Sequence, residues 1–231
     1  MNLHKEKCTV CGGEITPIYS NKDEHYVVGS KRCFEHCDPF DKEHYRLEKH
    51  LFYKDTPPIF RETKIEKLPN DSVKSALISI IEKDTASQDS LLLHGTTGSG
   101  KSRAAWLIAN HWFKANYPRS IEWMSPRKLD SWLIGSFSES MKHHEKCVNR
   151  MCAVPLLVID DLGKERLTPR VESDLFAIID ERVSNKLPTY ITTNFNAKLL
   201  IDRFPTKETA VALIRRIREH FTSIGTGKET V

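Results

Sequence analysis

Eight consecutive residues with the sequence GTTGSGKS carry the strongest chemical signal in the chain. Glycines let a backbone wrap closely around a ligand and turn its N–H groups toward phosphates. Lys101 would reach the β- and γ-phosphates of a nucleoside triphosphate, and the hydroxyl of Ser102 would ligate Mg²⁺. The pattern therefore predicts a phosphate-binding loop. Its expected members are Gly95, Thr96, Thr97, Gly98, Ser99, Gly100, Lys101 and Ser102.

Two acidic residues, Asp160 and Asp161, follow the apolar run LLVI. Open α/β sheets bind ligands at the carboxyl ends of their strands, so both carboxylates are expected beside the phosphate loop. Asp160 would support Mg²⁺, and Asp161 would act as a base or position the attacking water. A solvated pair of loop acids is the alternative, but the preceding apolar residues favour the end of a buried strand.

A later strand-like segment, YITTNF, turns polar toward Asn194. A neutral amide there could hold the attacking water without adding charge, although Asn is also common in turns. The segment ALIRRIREH then places Arg215, Arg216 and Arg218 close together. These arginines form a solvated basic face, or one of them completes the nucleotide site of a neighbouring subunit.

Alternating strand-like and helix-like segments would position these groups. Strands that alternate with helices of this length predict an α/β fold with a parallel sheet covered by helices. The prolines of KDTPPIFRETKIEKLPND (54–71) predict a linker or an extended arm before it. The predicted strands are SLLLHG, SIEWMS, VPLLVIDDLG and PTYITTNF, and the predicted helices are SVKSALISIIEK with Asp71 or Ser72 as its cap, KSRAAWLIANHWFKA, PRKLDSWLIGSFSESMKHHEKCVNRM, RVESDLFAIIDERVSNK and AVALIRRIREHF.

In this order, the motifs resemble those of the AAA+ ATPases of the DnaC/DnaI helicase-loader type and of the related IstB transposition helpers. HGTTGSGKS resembles Walker A, LLVIDDLGKE resembles Walker B, LPTYITTN resembles sensor 1 and IRRIRE resembles the box that carries the arginine finger. TPPIFRET resembles the segment that borders the adenine. The resemblance covers residues 56–225 and implies a P-loop AAA+ core at 55–231 that binds and hydrolyses ATP, with Asn194 as sensor 1 and Arg216 as the finger.

The resemblance also implies a function and partners. It favours a replicative helicase loader that uses ATP binding to self-associate and that engages single-stranded DNA and a helicase. An IstB-like transposition helper and a zinc-dependent adaptor with little ATP turnover are the alternatives. Many AAA+ proteins have Glu where Asp161 stands, so hydrolysis is expected to be slow. A second departure from the family pattern is that no full lid domain is expected after the core.

Four of the six cysteines lie within the first 37 residues. Cys8 and Cys11 form a Cys-x₂-Cys pair. After 21 intervening residues comes Cys33, with either Cys37 or His36 as the second member of its pair. Thiolate ligands in two such pairs favour a tetrahedral Zn²⁺ site. A partly ordered arm with reduced cysteines is the alternative. DnaI-like loaders carry an N-terminal zinc module that docks on the helicase, so the resemblance supports the zinc site.

Charge and hydropathy restrict the remaining possibilities. Residues 1–56, which include the predicted zinc module at 1–54, hold nine Lys/Arg and ten Asp/Glu and are nearly neutral. The rest of the chain has five more basic than acidic residues. That surplus permits binding to nucleic acid. No apolar run is long enough to span a membrane, and the charged start MNLHKEKCTV lacks the apolar region of a secretory signal, so a cytoplasmic location is expected.

Overall fold

The computed structural model describes residues 52, 56–83, 89–116, 120–125, 128, 131 and 141–226. The chain divides into the units Met1–Leu51 and Phe52–Val231, and every described residue belongs to the second. The predicted zinc ligands Cys8, Cys11, Cys33, Cys37 and His36 therefore lie outside the described residues, and the zinc module stays a prediction. No helix within the described ranges is long and apolar enough to cross a membrane.

Five strands form one sheet in the described part of the chain, and each neighbouring pair is parallel. The strands are β1 (Ser90–His94), β2 (Ile121–Met124), β3 (Leu156–Ile159), β4 (Thr189–Thr193) and β5 (Phe221–Gly225). Their order in the sheet is β2-β3-β4-β1-β5. This confirms the predicted α/β fold with a parallel sheet.

Strand β4 lies between β1 and β3, and this order brings three loops together. Leu93 of β1 is in register with Thr192 of β4, and Ile159 of β3 is in register with Ile191 of β4. Parallel strands end at a common edge of the sheet, so the segments after β1, β3 and β4 are neighbours there. The phosphate loop, the acid pair and Asn194 all belong to these segments.

The described helices are α1 (Pro58–Arg61), α2 (Asp71–Lys83), α3 (Lys101–Ala115), α4 (Met141–Ala153), α5 (Pro169–Ser184), α6 (Ala197–Ile201) and α7 (Lys207–His220), with a 3₁₀ turn at Ile65–Lys67. They bury apolar faces in two packed groups. Helix α2 packs against α3, while α5 packs against both α4 and α7. The predicted core positions of α5, namely Val171, Leu175, Ile178 and Ile179, are all buried.

Two features of the chain up to the start of α2 differ from what the sequence predicted. The cap of α2 is neither Asp71 nor Ser72, because Asn70 Oδ1 accepts the backbone N–H of Val73 at 3.3 Å. An Asn side chain one residue earlier caps as well as Asp or Ser, so the chain uses it and α2 begins at Asp71. The segment predicted as a linker or extended arm also contains α1 and the 3₁₀ turn.

Strand β5 was missed by the sequence analysis, which assigned Phe221 to the last helix. Helix α7 ends at His220, and β5 begins at Phe221 and pairs with β1. Only Phe221 and Ile224 of this strand are buried. A strand at the end of the sheet needs no continuous apolar run, which explains why the sequence pattern did not reveal it.

Arg182 is a fully buried cation on α5. Its guanidinium donates to the carbonyl oxygens of Met151 at 2.8 Å, Val154 at 2.7 Å and Pro188 at 2.7 Å, and to Thr189 Oγ1 at 2.8 Å. Burial lowers the pKa of Arg182 to about 10, so the side chain is still charged near neutral pH. It joins the end of α4 to the start of β4.

Arg182→Met is expected to lower the free energy of unfolding by about 3 kcal/mol or more, because several buried acceptors lose their donor at once. Urea unfolding followed by circular dichroism measures the change. Arg215→Met is the matched control, since the side chain of Arg215 is exposed on α7, and it should change stability by no more than about 0.5 kcal/mol. Equal effects of the two substitutions would contradict this role for Arg182.

Candidate nucleotide site

Lys101 lies at the start of α3, where the phosphate loop becomes helix. Gly100 precedes it in the left-handed conformation, with φ of 90°. The side chain of Lys101 is buried, with the residue only 4% exposed. Its ammonium donates to the carbonyl oxygens of Gly95 at 2.9 Å and Thr96 at 2.7 Å, and it lies 3.4 Å from Ser99 Oγ. The loop thus holds its own cation at its centre, where a phosphate would need it.

Asp160 lies beside Ser102 at the end of β3. The residue is 7% exposed, and its carboxylate is hydrogen-bonded to the hydroxyls of Ser102 and Thr192, the latter at 2.7 Å. Burial raises the pKa of Asp160, and the two hydrogen bonds partly oppose that rise. A bound cation would favour the charged carboxylate. The two residues predicted to hold Mg²⁺ are therefore in contact.

The oxygen donors of Ser102 and Asp160 suit Mg²⁺, which prefers hard ligands and keeps several waters and phosphate oxygens. Within the described ranges, no group of three or more His, Cys, Asp or Glu side chains gathers at a metal-binding distance. Burial lowers the pKa of Lys101, while the charges of Asp161 and Asp160 raise it, so the lysine and both acids share one electrostatic environment.

Asp161 adopts a backbone conformation that few side chains tolerate, with φ of 63°. Asp is among the residues that enter this left-handed region most readily. Its N–H donates to Thr192 Oγ1 at 2.8 Å, and its Oδ2 lies 3.2 Å from Lys164 Nζ. The candidate water-positioning carboxylate therefore forms an ion pair with a lysine three residues later.

Thr192 connects both acids, although it was not among the site residues predicted from the sequence. Its hydroxyl donates to Asp160 Oδ1 and accepts the N–H of Asp161, so one buried side chain fixes both residues. Thr192 is completely buried. A signal was present in the sequence, because Thr192 is a hydroxyl residue near the end of a buried strand. A buried polar group at such a position needs a hydrogen-bond partner.

Asn194 and Arg216 occupy different parts of the fold. Asn194 follows β4, whose Thr193 is in register with His94, so it lies at the edge where the phosphate loop begins. Arg216 lies on α7, and its Nε is 2.7 Å from Asp180 Oδ1 on α5. These two atoms are close enough for an ion pair, although they lack hydrogen-bond alignment. About a third of the Arg216 side chain stays exposed.

The segment that precedes α2 also approaches the phosphate loop. A Cβ atom added at Gly100 would lie 2.9 Å from Pro69 Cδ and 3.5 Å from Leu68 Cδ2, so glycine permits this close packing. The resemblance placed TPPIFRET beside the adenine, and helix α1 within it packs against α3. Leu68 and Pro69 lie further along the chain and are the residues that contact the loop.

The sequence of the chain is similar to those of two replication proteins, DnaC and DnaI. No protein-family model matches the chain. The chain is 30% identical over 118 residues to the replicative helicase loader DnaC of Escherichia coli strain K12, across 49% of this chain and 47% of DnaC. It is 26% identical over 124 residues to the replicative helicase loader DnaI of Bacillus subtilis strain 168, across 52% of this chain and 38% of DnaI. The matched regions span about half or less of these two relatives.

Solved structures of a DnaC and of a DnaI protein share the fold. A crystal structure of the DnaC helicase loader has a TM-score of 0.62 at 18% identity, covering 74% of this chain and all of that chain. A crystal structure of DnaI has a TM-score of 0.61 at 23% identity, covering 74% of this chain and 94% of that chain. The predicted resemblance to DnaC/DnaI-type AAA+ ATPases is confirmed. The motifs behind it follow three strands of the sheet: the Walker A-like loop follows β1, the Walker B-like acids follow β3 and the sensor-1-like Asn194 follows β4.

Proposed function

We propose that the chain is an ATP-dependent replicative helicase loader. The observation that carries this proposal is its sequence similarity to two loaders, DnaC and DnaI. The contact of Ser102 with Asp160 and the buried position of Lys101 support the ATP site. In this proposal, ATP binding promotes self-association, and the assembled protein engages single-stranded DNA and a replicative helicase in the cytoplasm. The basic surplus outside the first 56 residues favours the contact with DNA phosphates.

The proposed ATP site uses the described side chains in distinct roles. Lys101 would exchange the carbonyl oxygens of Gly95 and Thr96 for oxygens of the β- and γ-phosphates. The first N–H groups of α3 would add the positive end of the helix dipole. Ser102 and Asp160 would hold Mg²⁺, which neutralises charge on the phosphate oxygens when it is bound.

Hydrolysis would depend on residues at the neighbouring strand ends. Asp161 would orient the attacking water and accept its proton, and the amide of Asn194 would hold the same water. The ion pair between Asp161 and Lys164 would have to open first, because Lys164 Nζ lies 3.2 Å from Asp161 Oδ2 and so occupies a place that the water would need. Arg216 of a neighbouring subunit would stabilise the charge on the transferred phosphoryl group. Slow turnover is expected for this arrangement.

A reconstitution with purified proteins tests the loader function. The full chain is mixed with the replicative helicase of its host and circular single-stranded DNA, with ATP or ADP, and helicase left on the DNA is quantified after gel filtration. The proposal expects transfer that requires ATP and that Lys101→Ala abolishes. Partner binding without measurable ATP turnover would support the adaptor instead. A complex with a transposase and duplex DNA, and none with helicase, would support the IstB-like helper.

The zinc module at 1–54 remains part of the proposal. Purified protein is expected to hold about one Zn²⁺ per chain, because Cys8, Cys11 and Cys33 with either Cys37 or His36 make a four-ligand site. Elemental analysis measures the metal, and Cys37→Ser compared with His36→Ala identifies the fourth ligand. Cys152→Ser is the control, since this cysteine lies on α4 in the 55–231 core, and it should retain zinc. Protein prepared without chelators that holds no zinc would contradict the module.

Chelation separates the two proposed domains. The binding energy of a structural zinc is folding energy for a small module, so zinc removal should unfold residues 1–54. The 55–231 core holds its own buried cluster and should keep its thermal transition and its ATP binding. Loss of ATP binding on chelation would show that the two regions do not fold independently.

A further inference from the structure

Thr226 follows β5 and is fully buried against the start of the phosphate loop. Its backbone N–H and its Oγ1 both donate to the carbonyl oxygen of His94, at 2.7 Å and 3.0 Å. The same Oγ1 lies 2.6 Å from Ser99 Oγ, across a sequence separation of 127 residues. A Cβ at Gly95 would lie 2.7 Å from this Oγ1, so the two segments meet closely only because residue 95 is glycine.

Counting protons gives these hydrogen bonds a direction. A carbonyl oxygen can only accept, so Thr226 donates its single hydroxyl proton to His94. Ser99 must then be the donor in its contact with Thr226, which leaves the lone pairs of Ser99 Oγ to accept from Lys101 at 3.4 Å. A directed series of hydrogen bonds therefore runs from Lys101 through Ser99 and Thr226 to His94.

We propose that Thr226 is a positioning residue for the phosphate loop, which fixes the Ser99 hydroxyl and presets the loop backbone for a triphosphate. The proposal rests on the proposed function, because it requires that this loop binds ATP. Three glycines of the loop have positive φ, namely Gly95, Gly98 and Gly100. Such a segment loses much conformational freedom when a ligand orders it. A buried contact that orders it beforehand lowers that cost and strengthens binding.

The position of Thr226 predicts an effect on binding rather than on chemistry. Its described contacts are with loop atoms and with His94, whereas Thr192 holds Asp160 and Asp161. Losing the Thr226 hydroxyl should therefore weaken affinity for ATP and leave the turnover rate at saturation nearly unchanged. A residue that merely stabilised the fold would instead lower the melting temperature and would not act through Ser99.

The test measures the Kd for ATP with Mg²⁺ on the purified full chain, by titration with a fluorescent ATP analogue and competition by ATP. Thr226→Ala should raise Kd about three- to tenfold, which corresponds to the loss of one hydrogen bond. Thr226→Ser keeps the hydroxyl and should stay within about twofold of the original protein. Thr222→Ala is the matched control, because Thr222 is exposed on β5, the strand that Thr226 follows, and it should not change Kd.

A double-mutant cycle with Ser99→Ala shows whether the two hydroxyls act together. Once Ser99 lacks its hydroxyl, Thr226→Ala should add less than about twofold to Kd. An unchanged Kd in Thr226→Ala, a Kd for Thr226→Ser as high as that for Thr226→Ala, or fully additive effects in the cycle would each overturn the positioning role. Failure of the original protein to bind ATP would overturn the proposed function and this inference together.

Discussion

Lys101→Ala is expected to weaken ATP binding by at least about a hundredfold, because two or more charge-assisted hydrogen bonds to phosphate are lost. The ammonium already lies at the centre of the loop, 2.7 Å from the carbonyl oxygen of Thr96 and 2.9 Å from that of Gly95. It has only to exchange these neutral acceptors for anionic ones. Equilibrium titration with a fluorescent ATP analogue measures the change.

Two controls keep this result interpretable. Lys142→Ala removes an exposed lysine of α4 and should leave Kd unchanged. Asp161→Asn should bind ATP normally and lose turnover, because Asn also tolerates the left-handed backbone of this position but cannot accept a proton. Circular dichroism should show all three variants folded. Normal ATP binding by folded Lys101→Ala would disprove the phosphate-loop assignment.

The parts of the fold that the sequence predicted well are those in which one short segment contains its own signal. Helix α3 spans Lys101–Ala115, the same residues as the predicted KSRAAWLIANHWFKA. Strand β3 has all four residues buried, which is why LLVI reads as a continuous apolar run. The Gly-rich loop and the acid pair needed no knowledge of distant residues, because each follows a buried strand of the same sheet.

Contacts between distant segments could not be predicted in this way. Thr226 meets Ser99 only because β5 pairs with β1, and β5 has too few buried positions to read as a strand. Thr192 was visible as a polar residue, but its bridge between Asp160 and the N–H of Asp161 requires the register of β3 and β4. A sequence pattern indicates whether one segment is buried or exposed. The hydrogen-bond partners of these two hydroxyls depend instead on the order of the strands in the sheet.

Arg216→Ala is expected to bind ATP normally and to lose ATP hydrolysis by about a thousandfold, if this residue serves a neighbouring subunit as an arginine finger. Within one chain, its Nε lies 2.7 Å from Asp180 Oδ1, so α5 and α7 hold the side chain in place while about a third of it remains exposed. Such a held but accessible arginine could reach a second copy. Steady-state ATPase assays at saturating ATP measure the loss, and Arg215→Ala serves as the control on the same helix.

Mixing two inactive variants separates a finger from an ordinary ion pair. Lys101→Ala lacks a working loop but keeps Arg216, and Arg216→Ala has the opposite defect. In a random head-to-tail assembly of equal amounts, about a quarter of the interfaces would join an intact loop to an intact arginine, and ATPase activity should return in about that proportion. Co-assembly of the variants is verified with two affinity tags. A co-assembled mixture that remains inactive would show that Arg216 does not act between subunits.

Substitution of Asp180, the partner of Arg216 in the same chain, distinguishes an ion pair within one chain from an arginine finger between subunits. If the ion pair only supported packing of α7 on α5, Asp180→Ala and Arg216→Ala would lower the melting temperature equally, and both would keep normal turnover. If Arg216 acts on a neighbouring ATP, Asp180→Ala leaves the arginine present, so it should retain most of the turnover that Arg216→Ala loses. The ratio of the two ATPase rates, measured on proteins of matched thermal stability, therefore decides whether the cation works across the interface or only within its own chain.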